Sequence, residues 1–238
     1  AVILGWALRS VGVVIAPAWS GPSENLRRVG QQYAPMAAAS VLMGGTTIVD
    51  QAVAASLGAG SVATLGYGLK FITLATSLGS LALGTAVLPF LSRMVAANDW
   101  TQLKSTVKTF SLLALLATLP VAVLASVFSV PLVSLLFERG AFSPDDTEAV
   151  ALVLALGVWQ LPFFAVGTVF SRLVSSLGAN QLLLLQSAMV LILDIVLDVM
   201  LSRYAGVAGI ALATTLVYAA SLVFLMLAAQ YAVRRVQA

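Results

Sequence analysis

The sequence contains no cysteine and no histidine. Disulfides, thiol chemistry and histidine-based metal sites or catalysis are thereby excluded. Charge is scarce as well. Nine acids and twelve Lys or Arg make up 9% of the 238 residues, where a soluble domain carries about 25%. Hydrophobic residues make up 61%, and mean hydropathy is +1.04. Such a chain cannot cover a water-facing surface with polar groups, so it reads as a polytopic membrane protein. In lipid only helices and closed barrels satisfy the backbone. The apolar runs are about 20 to 30 residues long without strict alternation, which selects an all-α bundle. The motifs GxxxxGK(S/T), HExxH and CxxC are also missing, so ATPase and zinc-enzyme readings lack their mechanics. No signal peptide, short-period repeat or low-complexity tract is visible. The net charge of +3 is small, and nothing points to nucleic acid.

What is present is a series of six apolar spans. The chain opens without Met in AVILGWAL, too short to cross, which reads as the tail of a preceding transmembrane helix. A Pro-, Gly- and Ser-rich loop and the pair Arg27, Arg28 come next, so residues 1–28 form the stub and its loop and 29–238 the six-helix lobe. The spans run from Tyr33 to Leu57, Val62 to Leu88, Phe110 to Leu136, Ala149 to Leu177, Leu182 to Ser202 and Ile210 to Val233. Pro89 is expected to break or kink the second, and RYAGVAG to form the turn before the sixth. The run 60–93 would be about 51 Å long as one straight helix, more than the ~30 Å core, so a bend or an interfacial extension is expected. Gly66, Gly68, Gly79 and Gly84 permit close packing there. Lys and Arg alternate by side. Arg9, Arg27 and Arg28, then Arg93, Lys104 and Lys108, then Arg234 and Arg235 place those segments in the cytoplasm.

One loop faces the other way. LLFERGAFSPDDTEAV (135–150) holds Glu138, Arg139, Asp145, Asp146 and Glu148. Gly140 suits the left-handed position that closes a helix. Ser143 suits an N-cap, Pro144 the first helical position, and the acids the first turn. The expectation is that these charges punctuate two helices at the water interface.

Four ionisable residues lie inside spans, where such residues are functional candidates by default. Counted from the outer turns at ~1.5 Å per residue, Asp50 lies about 12 Å down and Lys70 about 17 Å, near mid-membrane. Asp194 and Asp198 fall in the same band, as does Thr214. The two acids are spaced i, i+4 and share a helix face. Clustered carboxylates in low dielectric require a cation or a proton. Carboxylates with a hydroxyl are hard oxygen ligands, suited to Na⁺ or another hard cation. The competing reading is a set of buried salt bridges and inter-helix hydrogen bonds, in which Lys70 pairs with Asp50 or Asp194.

LLFERGAFSPDDT closely resembles the corresponding loop in the C-terminal half of MurJ/MviN-type lipid II flippases, in the multidrug/oligosaccharidyl-lipid/polysaccharide exporter superfamily. VDQAVAASLGAGSVATLGYGLKF (49–71), LALGTAVLPFLSRMVAAND (81–99) and GVAGIALATTL (206–216) agree with other parts of that half. The resemblance implies a C-terminal lobe whose partner is an N-terminal lobe of the same chain. It also implies a multi-pass protein of the bacterial inner membrane, among membrane lipids, moving a lipid-linked diphosphate by alternating access. A flippase for another polyprenyl-linked glycan, a multidrug antiporter and a non-transporting scaffold are the alternatives.

Carried over residue by residue, the family's sodium site becomes Asp50, Asp194, Asp198, the carbonyl of Ile210 and Thr214. Asp194 departs from the usual Asn, and the extra charge would favour a proton or a divalent ion. Lys70 stands where the family carries a substrate-binding Arg. Leu69 and Thr73 stand where it carries acids, so the exact anionic lipid-linked substrate stays open.

Overall fold

Long apolar runs without regular breaks form long helices, and the computed structural model describes residues 24–237 as helices and short connections. For 24–29, 31–32 and 81–86 only the backbone is described. The stub expected at the N-terminus lies largely outside these residues. The chain divides into two compact units, 1–34 and 35–238. The second contains every core cluster found among the described residues.

The helices are α1 (Glu24–Ser56), α2 (Ser61–Ala96), α3 (Trp100–Val127), α4 (Ser129–Phe137), α5 (Pro144–Gly157), α6 (Gln160–Ser176) and α7 (Asn180–Gln237). No strand occurs among the described residues. By length and composition, 33–56, 100–127, 144–176 and 180–237 are each able to cross a membrane. The 58 residues of α7 would extend about 87 Å if straight, nearly three bilayer cores. They do not run straight. Gly206, with φ 56° and ψ −137°, breaks the helical backbone, and only glycine adopts that conformation cheaply. The two limbs then run side by side so closely that a Cβ on Gly209 would meet the backbone of Leu201. The expected turn at 203–209 is thus one non-helical residue.

Two other expectations change in detail. The helix α2 continues through Pro89 to Ala96, so the proline does not break it, and the long run takes the form of the expected extension. Gly140 has φ 66°, but it lies two residues past the α4 C-cap Glu138. The start of α5 is as expected. Ser143 caps it, Pro144 opens it, and Ser143 and Asp146 form a reciprocal capping box.

Packing obeys the logic of a lipid solvent. Along 111–127 of α3 the buried positions Ala114, Ala122 and Ala125 are small, while Leu113, Leu116 and Leu124 are exposed. Small residues let backbones approach, and large apolar ones lose nothing against acyl chains. Gly68 does the same on α2, where an added Cβ would sit 2.5 Å from Val153 of α5. One core cluster gathers Val87, Leu91, Leu103, Val107, Leu173 and Leu225 at the basic end of the lobe. Another gathers Ile72, Ala125, Val133, Val150 and Leu154 toward the opposite end. Polar ties cross between helices. Thr215 Oγ1 donates to the Leu156 carbonyl at 2.9 Å, and Gln186 Nε2 donates to Ser221 Oγ at 2.8 Å, joining the two limbs of α7.

Candidate functional site

Asp50 sits near the end of α1, and Asp194 and Asp198 share one face of the first limb of α7. The structure brings the three together. One carboxylate oxygen from each lies within 4.8 Å of the others, and the residues are 8%, 1% and 0% exposed. Both oxygens of Asp198, one of Asp50 and one of Asp194 meet no hydrogen-bond partner. Two unit charges ~4 Å apart repel by about 4 kcal/mol at an effective dielectric of 20. Three ionised carboxylates at this spacing therefore persist only with a positive charge or a proton among them. The donor set fits a hard cation, since orphaned buried oxygens are what such an ion coordinates.

The remaining two expected ligands lie on the second limb. Thr214 Oγ1 donates to the Ile210 carbonyl at 3.0 Å, and Ile210 is wholly buried. The contact of Gly209 with Leu201 sets the hairpin register. That register puts 210–214 beside the stretch that carries Asp198. Thr214 keeps acceptor lone pairs after donating its proton.

Lys70 is elsewhere. It is exposed on α2, and its Nζ lies 4.1 Å from the centroid of the Tyr67 ring and 5.6 Å from that of Phe137. Cation–π geometry of this kind replaces the ion pair with Asp50 or Asp194. Tyr67 packs edge-on against Phe137 at 5.1 Å and against Phe142 at 5.6 Å. These rings floor a pocket of about 620 Å³ whose walls also carry Thr64, Arg139 and Asp146.

The charged loop therefore does more than cap helices. Glu138 accepts from Thr147 Oγ1 at 2.9 Å, and Asp146 accepts from the Ser143 amide at 2.9 Å. The Arg139 guanidinium donates to the Leu136 carbonyl at 2.8 Å and stands in the same pocket as Lys70. Sequence reasoning missed Arg139 because its capping neighbours explained the stretch. No local signal marks it, because its role depends on Phe137 and Phe142 meeting Tyr67 of a distant helix. Arg172 is half-buried in the wall of a pocket of about 460 Å³ with Gln186, Tyr218 and Ser221.

The chain matches the family model described as lipid II flippase MurJ over residues 2–237. A probable lipid II flippase MurJ from Thermotoga maritima is 29% identical over 211 residues, which are 89% of this chain and 43% of that protein. One from Rhizobium meliloti is 29% identical over 175 residues, 68% of this chain and 33% of that protein. The chain thus spans less than half the length of these relatives. Among solved structures, lipid II flippase MurJ in an inward closed conformation superposes with TM-score 0.71 at 22% identity, over 94% of this chain. The Vibrio cholerae MATE transporter VcmN in its bent form superposes with TM-score 0.82 at 19% identity, over 99% of this chain. At these identities both likenesses establish the fold.

Proposed function

Because the chain belongs to the lipid II flippase MurJ family, we propose that it forms one lobe of an alternating-access transporter for a lipid-linked diphosphate in the bacterial inner membrane. The observation that carries this reading is the division of charge within the lobe. An open, aromatic-floored pocket holds Lys70 and Arg139 with one acid, Asp146, whose carboxylate accepts from Ser143, and the three acids that face one another are buried apart from it. A diphosphate headgroup is costly to strip of water unless cations meet it. Lys70 supplies a point charge, Arg139 a planar fork that binds phosphate oxygens in pairs, and the rings a surface for a sugar face.

A cation in this lobe would be held by Asp50, Asp194 and Asp198, with Thr214 and the Ile210 carbonyl completing the oxygen set. Bound, it would offset the repulsion among the three carboxylates and favour the conformation in which α1 and both limbs of α7 stay together. A ligand shifts such an equilibrium only through unequal affinity for the two states. The third carboxylate, Asp194, extends the choice beyond Na⁺ to a proton or a divalent ion.

The fold alone does not choose between a lipid flippase and a multidrug antiporter, since both kinds of transporter share it. Complementation does. In a strain depleted of its own flippase, the full-length protein restores growth, and Lys70→Ala removes that growth while membrane levels hold. Growth of the variant at the wild-type rate would overturn the assignment of Lys70. Failure of the wild type to complement would overturn the flippase reading.

A further inference from the structure

A third cleft lies at the other end of the lobe, about 30 Å along α2 from Lys70. It opens between α3 and the last turns of α7, with α6 behind it. From α3 it takes Trp100, Leu103, Lys104, Val107, Lys108 and Ser111. From α7 it takes Met226, Ala229, Gln230, Val233, Arg234 and Gln237. Both sets fall at i, i+3, i+4, i+7, i+8 and i+11, one continuous face of each helix. Phe170 and Leu173 of α6 close the back. The volume is about 570 Å³, within the roughly 300–1,000 Å³ of sites that enclose a ligand.

The chemistry of the cleft is sharply layered. Its deep wall is apolar. Its mouth carries Lys104, Lys108 and Arg234, and no acid is among the described residues that line it. Within the wall, one turn beyond Lys108, the Ser111 hydroxyl is buried and meets no partner. Buried hydroxyls are ordinarily satisfied, so an orphan in a cleft wall marks where an acceptor belongs. The adjoining α3 surface is leucine-rich and exposed, the character of a face turned to acyl chains.

We infer that this cleft binds an anionic glycerophospholipid, with its phosphate held by Lys104, Lys108 and Arg234 and an acyl chain laid between Val107 and Met226. The Ser111 hydroxyl donates to an ester carbonyl below the phosphate. Charge complementarity selects this occupant. Basic pockets between helices at a membrane's Lys- and Arg-rich face recruit anionic headgroups, and each basic residue there strengthens binding several-fold. A zwitterionic lipid offers the same chains without net charge. The cleft is separate from the Lys70 pocket, with which it shares no lining residue.

Trp100 stands in the cleft and reports on it. The full-length protein is placed in phosphatidylcholine nanodiscs containing increasing fractions of brominated-acyl phosphatidylglycerol or brominated-acyl phosphatidylcholine. Subtracting the signal of Trp100→Phe isolates the quenching of Trp100. Brominated phosphatidylglycerol is expected to quench it at about ten-fold lower mole fraction than brominated phosphatidylcholine. The triple variant Lys104→Gln, Lys108→Gln, Arg234→Gln is expected to lose that preference. The charge-conserving variant Lys104→Arg, Lys108→Arg, Arg234→Lys keeps it, and raising salt on the wild type weakens it, so the test survives a misfolded triple variant. Equal quenching of wild-type Trp100 by the two lipids, no quenching by either, or an unchanged preference in a folded triple variant would overturn the inference.

Discussion

The aspartate cluster and the Lys70 pocket are two charged places in one lobe, built on opposite principles. The first is closed. Its three acids are less than a tenth exposed and have oxygens with no partner. The second is open, its cation resting on aromatic rings and its walls shared with the loop between α4 and α5. A closed acidic site answers to small ions, because only they enter and only they match the field. An open basic pocket with a ring floor answers to large anions that bring their own apolar and polar faces. Under the proposed function, the same distinction would separate what drives a conformational equilibrium from what is carried by it.

The sharpest test of that division is Asp198→Ala. In the wild type, a cation at 100 times its dissociation constant stabilises the protein by about 2.7 kcal/mol. At about 2–4 °C per kcal/mol for a domain of this size, melting rises by roughly 5–10 °C in Na⁺ relative to choline. Asp198→Ala is expected to abolish the difference, whereas Lys70→Ala leaves it intact. Identical wild-type melting in Na⁺, choline and a divalent salt would remove the cation from the account.

Gly68→Val breaks the other side of the comparison. Its Cβ would lie 2.5 Å from the Val153 side chain and 3.2 Å from the Val150 carbonyl. Overpacking of this kind costs about 1–3 kcal/mol, and the strain falls where α5 holds the loop over Lys70. Melting should drop by a few degrees, with protease cutting increased in 138–146 and the Na⁺ shift retained. A variant that melts like the wild type would show that α2 and α5 are not held as closely as Gly68 implies.

How much of this is legible in the sequence depends on how local each feature is. The pair Asp194 and Asp198 is readable because i, i+4 spacing puts two residues on one helix face. Asp50 joins them by a depth count from the outer turn, which works because helical rise is constant. The Ser143 cap and Pro144 are readable for the same reason, as their partners lie within four residues. The hairpin at Gly206 is half readable. Two spans are evident, but not that one residue suffices to turn between them. Lys70 with Arg139 is not readable. Their meeting depends on the loop after α4 folding back onto α2, and no periodicity relates two positions so far apart. Depth counting places Lys70 along its own span, but says nothing of the loop that shares its pocket.

The smallest expected effect, at Ser143, bears on that same fold-back. Its hydroxyl accepts from the Asp146 amide at 3.2 Å, and its amide and hydroxyl both donate to the Asp146 carboxylate, at 2.9 and 2.8 Å. Ser143→Ala removes the hydroxyl's two bonds and leaves the amide's. Loss of an N-cap of this type costs about 1 kcal/mol, or roughly 2–4 °C of melting. Because Asp146 lines the Lys70 pocket, the loosened turn frees one wall of it, so hydrogen exchange should rise in 138–147 and nowhere near Asp50. The aspartate cluster is tied to α1 and α7, not to this loop, so the Na⁺ shift should be the same as in the wild type. Were it to shrink along with the cap, the closed site and the open pocket would be one coupled unit. The division of labour between them would then have to be given up.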